Sequence, residues 1–287
     1  MKIFKNFIDL KNELYNTNNL GFVPTMGGLH KGHTSLIENS KKKCKFTLVS
    51  IFVNPAQFNK KIDFKKYPRN LKKDITILKQ LKVDFLFLPN KKIVYKKKSE
   101  MKINIQKKEK ILCAKYRPGH FEGVLAVINK FLLNIKANYI FLGEKDFQQI
   151  FLINKFINKK FMTKIILCKT VRDKNNIALS SRNYLLSYAD LKNSSIIANF
   201  LINFKIKINN NFKNIRKIHD LKKKINKLKN IKLEYLEIRN RNNLLNKFNN
   251  NNFKIFIAYY NKNIRLIDIF NYHKKNMHQH LRMTKIL

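Results

Sequence analysis

The sequence predicts an α/β fold: a largely parallel sheet with helical crossovers, followed by a smaller α+β domain. Three observations predict it. Strand-like and helix-like segments alternate through the first half of the 287-residue chain, the rhythm of repeated βαβ units. Phe46 to Val53 is a nearly unbroken apolar run, as expected of a parallel strand covered on both faces. All 7 Gly and 5 Pro lie between Gly21 and Gly143. Exacting backbone geometry therefore belongs to the first half, and the second half must turn on Asn, which tolerates left-handed conformations.

In order along the chain, Leu20 to Pro24 reads as a short buried strand and His33 to Lys43 as a helix. The strand Phe46 to Val53 follows. Leu71, Ile75 and Leu78 share a helical face within Leu71 to Leu81, and the strand Phe85 to Leu88 is stopped by Pro89. Lys102 to Gln106 alternates like a strand. Gly123 to Ile135 is a helix, Tyr139 to Leu142 a strand, Gln148 to Phe156 a helix and Lys164 to Cys168 a strand. The spacing then predicts helices over Lys192 to Lys205 and Asp220 to Leu228. Strands are expected over Leu233 to Ile238, Phe253 to Tyr259 and Arg265 to Ile269. Asn209 to Asn211 and Asn249 to Asn252 read as loops. The expected division is a first domain over 1–180, a second over 181–272 and a basic tail over 273–287.

Hydrophobic residues make up 44% of the chain, enough for packed cores and against disorder throughout. The formal net charge of +44 raises a nucleic-acid reading. The excess Lys, however, comes with excess Asn, Ile and Phe spread along the whole chain, residues that share A/T-rich codons. A selected nucleic-acid surface would concentrate Lys and Arg on one face with stacking aromatics, so no specific nucleic-acid partner is expected. Cys44, Cys113 and Cys168 are odd in number and widely spaced, which fits reduced thiols in a cytoplasmic setting better than a disulfide frame or zinc site. Met1 to Leu10 carries no long apolar core of a secretory signal. No apolar stretch approaches the about 20 residues of a membrane helix.

The chemistry concentrates where predicted strands end. Gly21 to His33 reads as a strand end, a Gly-rich turn and the first turn of a helix with His30 and His33 on one face. A helix N-terminus favours negative charge, and its N–H groups suit phosphates. Gly32 leaves the backbone bare between the rings. Asn54 and Gln57 close the next strand with neutral groups suited to hydroxyls or a carboxylate. Asp74, one of only 17 acids, is a magnesium-ligand candidate near a phosphate site. Arg117 and His120 lie in a tight turn, able to clamp a carboxylate or phosphate and to bond substrate. After the fourth strand, Gly143 admits nucleotide, Lys145 meets phosphate, Asp146 takes ribose or a metal-bound water, and Gln149 faces the same space. Ser180, Ser181 and Arg182 form an anion-binding loop at the presumed domain junction. His273, His278 and His280 match no metal-ligand spacing.

Taken together, these segments resemble the pantothenate synthetase (pantoate–β-alanine ligase) family of H-x-G-H nucleotidyltransferases. The resemblance is carried by Val23-Pro24-Thr25-Met26-Gly27, Val53-Asn54-Pro55-Ala56-Gln57-Phe58, Tyr67-Pro68-Arg69, Arg117-Pro118-Gly119-His120-Phe121, Gly143 to Gln149 and Ser180-Ser181-Arg182-Asn183, all in family order. Arg265-Leu266-Ile267-Asp268 extends it weakly into the second domain. It implies a Rossmann-like nucleotidyltransferase domain and a smaller lid domain. It also implies ATP as substrate, magnesium, pantoate and β-alanine, a homodimer and no membrane. The implied reaction forms pantoyl adenylate and pyrophosphate, after which β-alanine releases AMP and pantothenate. His30, His33, Lys145 and Arg182 are the implied catalytic set, with His33 as proton donor. Met26, Gly27, Gly28, Leu29, His30, Lys31, Gly32 and His33 are implied ATP-site residues, with Gly143, Glu144, Lys145, Asp146, Val171, Leu179, Ser180, Ser181 and Arg182. Gln57 and Gln149 are implied to hold pantoate, with Gln57 also near β-alanine.

This chain departs from the family pattern at several places. Lys31 replaces a usual acid, Gly28 a usual Ala, Tyr116 a small residue and Asn175-Asn176-Ile177 a usual Asp-Gly-Leu. Two other readings compete: a different H-x-G-H nucleotidyltransferase, and a basic nucleic-acid-binding protein. The first does not account for Gln57, Gln149 and Arg117 to His120 together.

Overall fold

The computed structural model describes residues 1–95, 103–246 and 252–272. They divide into two compact units, Met1–Lys174 with Ala178–Leu185 and Asn175–Ile177 with Leu186–Leu287.

The first unit is a Rossmann-like parallel sheet. Its strands are β1 (Lys2–Phe4), β2 (Leu20–Thr25), β3 (Phe46–Ile51), β4 (Phe85–Phe87), β5 (Tyr139–Gly143) and β6 (Lys164–Cys168). Its helices are α1 (Phe7–Leu14), α2 (Lys31–Lys43), α3 (Lys61–Lys66), α4 (Leu71–Gln80), α5 (Lys91–Val94), α6 (Leu112–Tyr116), α7 (His120–Asn134) and α8 (Phe147–Ile157). The strand order is β1-β4-β3-β2-β5-β6, parallel throughout. The chain lays β3 and β4 on one side of β2, then crosses to lay β5 on the other. That reversal opens a crevice at the carboxyl ends of β2 and β5, where such sheets bind ligands.

Burial explains the strand composition. Phe22, Val23, Leu48, Val49, Ile140 and Phe141 are fully buried, because helices cover both faces of the sheet. The helix α2 packs Leu36 and Ile37 into the core, and its three last-turn lysines lie at the negative end of the helix dipole. The helix α4 starts on Asn70, whose side chain accepts the Lys73 N–H at 3.0 Å.

The second unit is a three-stranded antiparallel sheet, β7 (Ile231–Asn240), β8 (Phe253–Asn261) and β9 (Ile264–Asn271), with α9 (Tyr188–Asn210) and α10 (Ile218–Asn226). Leu201, Phe204, Ile225, Leu236, Phe253 and Ile257 share one core there. Ser187 and Asp190 form a reciprocal cap at the start of α9.

Several sequence expectations are corrected. The strand expected at Lys102 to Gln106 does not form over 103–106, which runs irregularly into a short turn of 3-10 helix at Lys107–Glu109 (Lys102 lies outside the described residues). Asn209 and Asn210 end α9 rather than a loop. The strand β1 and helix α1 carry no sequence expectation; β1 has three residues, two of them exposed, too few to give a periodic signal. The first unit reaches Leu185 rather than residue 180, because Ser181 and Arg182 bond back into it, as described below. Asn176 and Asn230 supply left-handed turns in the Gly-free half, but so do Leu244 and Lys262. Asn249 to Asn251, His273, His278, His280 and the rest of the tail lie outside the described residues. Among the described residues no helix is long and apolar enough to cross a membrane.

Candidate active site

The turn after β2 is shaped by two left-handed glycines, Gly27 at φ 75° and Gly28 at φ 62°, a conformation that costs other residues free energy. Asp74 holds this turn from α4. Its carboxylate accepts the Gly28 N–H at 2.9 Å and the Leu29 N–H at 2.8 Å, and the side chain is buried. Gly28 and Leu29 give their amides to the two buried oxygens of Asp74, which thereby braces the turn.

His30 then caps α2, its Nδ1 accepting the Gly32 N–H at 3.1 Å. The Nδ1 of His33 accepts the His30 N–H at 3.4 Å, and the ring centroids lie 4.1 Å apart. Burial, helped by the neighbouring Lys145 ammonium and opposed by Asp146, pushes the His30 imidazole down to about 4. Burial first, then His30 and Lys145, hold His33 well below the usual imidazole range. Both rings are therefore neutral at pH 7. A neutral ring that accepts at Nδ1 carries its proton on Nε2, so this hydrogen-bonding assigns each ring an Nε2–H donor. Gly32 is needed for this arrangement, since a Cβ there would stand 2.8 Å from Cε1 of His30. Lys31 is exposed on the first turn of α2.

Gly143, Glu144, Lys145 and Asp146 follow β5 in a short turn of 3-10 helix. Glu144 is buried, while Asp146 is open at the rim with its carboxylate 3.8 Å from the Lys145 ammonium. The Lys145 ammonium acts on both imidazoles electrostatically, disfavouring their protonated forms.

The third component is the returning segment 178–185. Leu179 N–H bonds to Val171 O at 3.0 Å, fixing those two expected ATP-site residues side by side. Ser181 donates to Gly28 O at 3.1 Å and lies 3.4 Å from the buried Tyr67 hydroxyl. Ser180 Oγ accepts the Arg182 N–H at 3.3 Å. Arg182 lies over the Tyr67 ring and bonds Asp63 through Nη2 at 2.9 Å. The anchoring of Ser181 to Gly28 is what joins this segment to the histidine turn.

The substrate-side residues divide. Gln57 is half-buried, and its amide contacts Met26 Sδ. Gln149 is half-buried one helical turn beyond Lys145. Asn54, Arg117 and His120 bond protein groups around Gln57. Asn54 is buried, caps the 3-10 turn Pro55–Gln57 and donates to Gly123 O at 3.0 Å. Arg117 Nη2 and His120 Nδ1 both donate to the Gln57 carbonyl, at 3.1 and 2.7 Å. Because Nδ1 of His120 must donate to a carbonyl, its Nε2 is left to accept from Arg117 Nη1, 3.0 Å away. Arg117 and His120 hold the backbone of Gln57, and Asn54 Nδ2 donates to its side-chain Oε1 at 3.2 Å.

Sequence reasoning missed Asp63 and the inward role of Tyr67. Asp63 had one signal: an acid in a chain short of acids, one helical turn before Tyr67-Pro68-Arg69.

The crevice thus joins two neutral histidines, a lysine and an arginine at the carboxyl ends of β2 and β5. The chemistry open to such an array is to neutralise and position a polyphosphate. Comparison with known proteins agrees with the geometry. The family model described as pantoate-beta-alanine ligase matches residues 2–271. The pantothenate synthetase of Francisella tularensis subsp. mediasiatica is 42% identical over 268 residues, covering 93% of this chain and 94% of that protein. The crystal structure of the Francisella tularensis pantoate-beta-alanine ligase, complexed with a β,γ ATP compound and β-alanine, is 38% identical. It superposes with a TM-score of 0.80 over 94% of this chain and 97% of that one. Pantothenate synthetase from Thermus thermophilus superposes with a TM-score of 0.88 at 27% identity, over 95% of this chain and 100% of that one.

Proposed function

The chain belongs to the pantoate–β-alanine ligase family, and from that membership we propose that it condenses pantoate with β-alanine at the expense of ATP, through the residues gathered around His30 and His33. In the first step a pantoate carboxylate oxygen attacks the α-phosphorus of ATP, the bond to the β-phosphate oxygen breaks, and pyrophosphate leaves. In the second, the β-alanine amine attacks the acyl carbon of the adenylate. The acyl–oxygen bond breaks, AMP leaves, and the amine proton passes to solvent.

The observation that carries this reading is the paired imidazoles, with the Lys145 ammonium acting on both. In this structure both rings present Nε2–H groups suited to phosphate oxygens, and His33 is the ring that the family resemblance implies as proton donor. Lys145 and Arg182 neutralise the developing pyrophosphate. Met26 to His33, Gly143 to Asp146, Val171 and Leu179 to Arg182 form the ATP site. Gln57 and Gln149 hold pantoate, and Gln57 also meets β-alanine. Asn54, Arg117 and His120 act behind Gln57.

Magnesium fits this donor set in a limited way. Asp74 bonds the Gly28 and Leu29 amides and Asp63 pairs with Arg182, while the more open carboxylate of Asp146 at the rim would hold it. Magnesium bound by one carboxylate together with substrate phosphates is a common arrangement, and it would add charge neutralisation there. The second unit acts as a lid, the enzyme is a homodimer, and it works in the cytoplasm. These three statements rest on the family, and sedimentation of the purified chain tests the dimer.

The function is tested by incubating the chain with ATP, pantoate and β-alanine and assaying AMP and pantothenate. Stoichiometric formation of both is expected, with none when pantoate is omitted. AMP formation indifferent to pantoate contradicts the assignment.

A further inference from the structure

We infer that Asp63 is a positioning residue for adenylation, acting through Arg182, an inference that rests on the proposed role of Arg182 in holding pyrophosphate.

Arg182 is held from two directions. Its Nη2 and Nε bond the two oxygens of Asp63, at 2.9 and 3.4 Å, in the side-on fork that a guanidinium makes with a carboxylate. Its plane lies over Tyr67, with the guanidinium carbon 5.6 Å from the ring centroid. A long, rotamer-rich side chain is thereby fixed at both its edge and its face, while Nη1 is left out of the fork. Fixing matters because a misplacement of about 1 Å can cost on the order of 100-fold in rate.

Asp63 is itself held. It lies on α3, a helix of six residues whose first turn has no side-chain cap. Such a helix gains its order from packing. Phe64, next to Asp63, meets Phe58 edge-on at 5.4 Å, and Phe58 meets Tyr67 at 5.6 Å. Arg69 lies 4.6 Å from the Phe64 ring and donates to Phe64 O at 2.6 Å, satisfying a carbonyl at the helix end. The Tyr67-Pro68-Arg69 motif therefore acts as a frame: Arg69 and Phe58 set α3, α3 sets Asp63, and Asp63 with Tyr67 sets Arg182. Asp63 remains more than a third exposed, so the pair adds little to stability. Its contribution lies in orientation.

A double-mutant cycle tests this, using pantoate-dependent exchange of labelled pyrophosphate into ATP by the full chain. Asp63→Asn should lower the exchange kcat about 10-fold or more, with a smaller change in the KM for ATP and an unchanged Tm. Asp63→Glu should restore part of the rate. In the Arg182→Ala background, Asp63→Asn should cost less than about 2-fold, because the residue it positions is gone. An equal loss in both backgrounds, or no loss in either, overturns the inference. Full activity in Arg182→Ala alone would instead overturn the role given to Arg182, and absence of exchange in the unmutated chain would overturn the functional reading itself.

Discussion

Asp74 reaches across from α4 to accept the Gly28 N–H at 2.9 Å, filling with a protein carboxylate the amides that a Gly-rich turn ordinarily offers to phosphate. The partnership fixes the entry to α2 before any nucleotide arrives. Asp74→Ala should leave two buried N–H groups without an acceptor. The expected cost is about 2–4 kcal/mol of stability, from the loss of charge-assisted bonds. Urea unfolding measures it; a cost under about 0.5 kcal/mol would show that the turn holds itself.

His33→Ala should lower adenylate formation by about 100-fold or more, the range for losing one donor to a transition-state charge. Single-turnover release of pyrophosphate reads the chemical step directly. Near-normal release would remove His33 from the catalytic set.

Gly32→Ala separates activity from stability. Alanine is favoured over glycine within a helix, yet its Cβ would stand 2.8 Å from the His30 ring. The variant should keep or raise its Tm while losing about 10-fold or more in kcat through a displaced imidazole. Full activity with an unshifted ring would contradict the need for close approach.

The imidazoles make stability depend on acid. His30 is lowered to about 4, and His33 also titrates below the ordinary range. Between about pH 6.5 and 4 the unfolded chain binds protons that the folded chain refuses. The contribution of these groups to stability is therefore complete above about pH 6.5 and is lost as pH falls towards 4. His30→Asn, which keeps a capping side chain, should flatten that acid-side slope in urea midpoints measured from pH 7 to 4. An unchanged slope would mean that the rings are not held neutral by the fold.

Arg117 and His120 are expected to act on pantoate only through Gln57, whose carbonyl they share. Arg117→Ala should raise the KM for pantoate several-fold in the otherwise native chain and change it little in a Gln57→Ala background. Additive losses would return Arg117 to direct substrate contact.

The pattern of what the sequence revealed follows from range. The parallel sheet was legible because strands buried on both faces keep unbroken apolar runs, as at Phe46 to Ile51, and Gly27 and Gly28 marked a turn that other residues avoid. The histidine pair was legible because its spacing is local to one helix turn. Asp74, 46 residues from Gly28, and Arg117, 60 residues from Gln57, showed their residue types but not the direction in which they bond. A polar side chain beside a site reads the same in sequence whether it faces the ligand or braces the backbone behind it. The strand β1 was too short to show a period, and its place at the edge follows from pairing with β4.

The central claim is that a pantoate carboxylate oxygen displaces pyrophosphate at the crevice between β2 and β5. Pantoate labelled with heavy oxygen in its carboxylate tests it most directly. The account predicts that one labelled oxygen per turnover appears in AMP, with the other retained in pantothenate. AMP free of label, with turnover intact, would contradict attack by that carboxylate on the α-phosphorus.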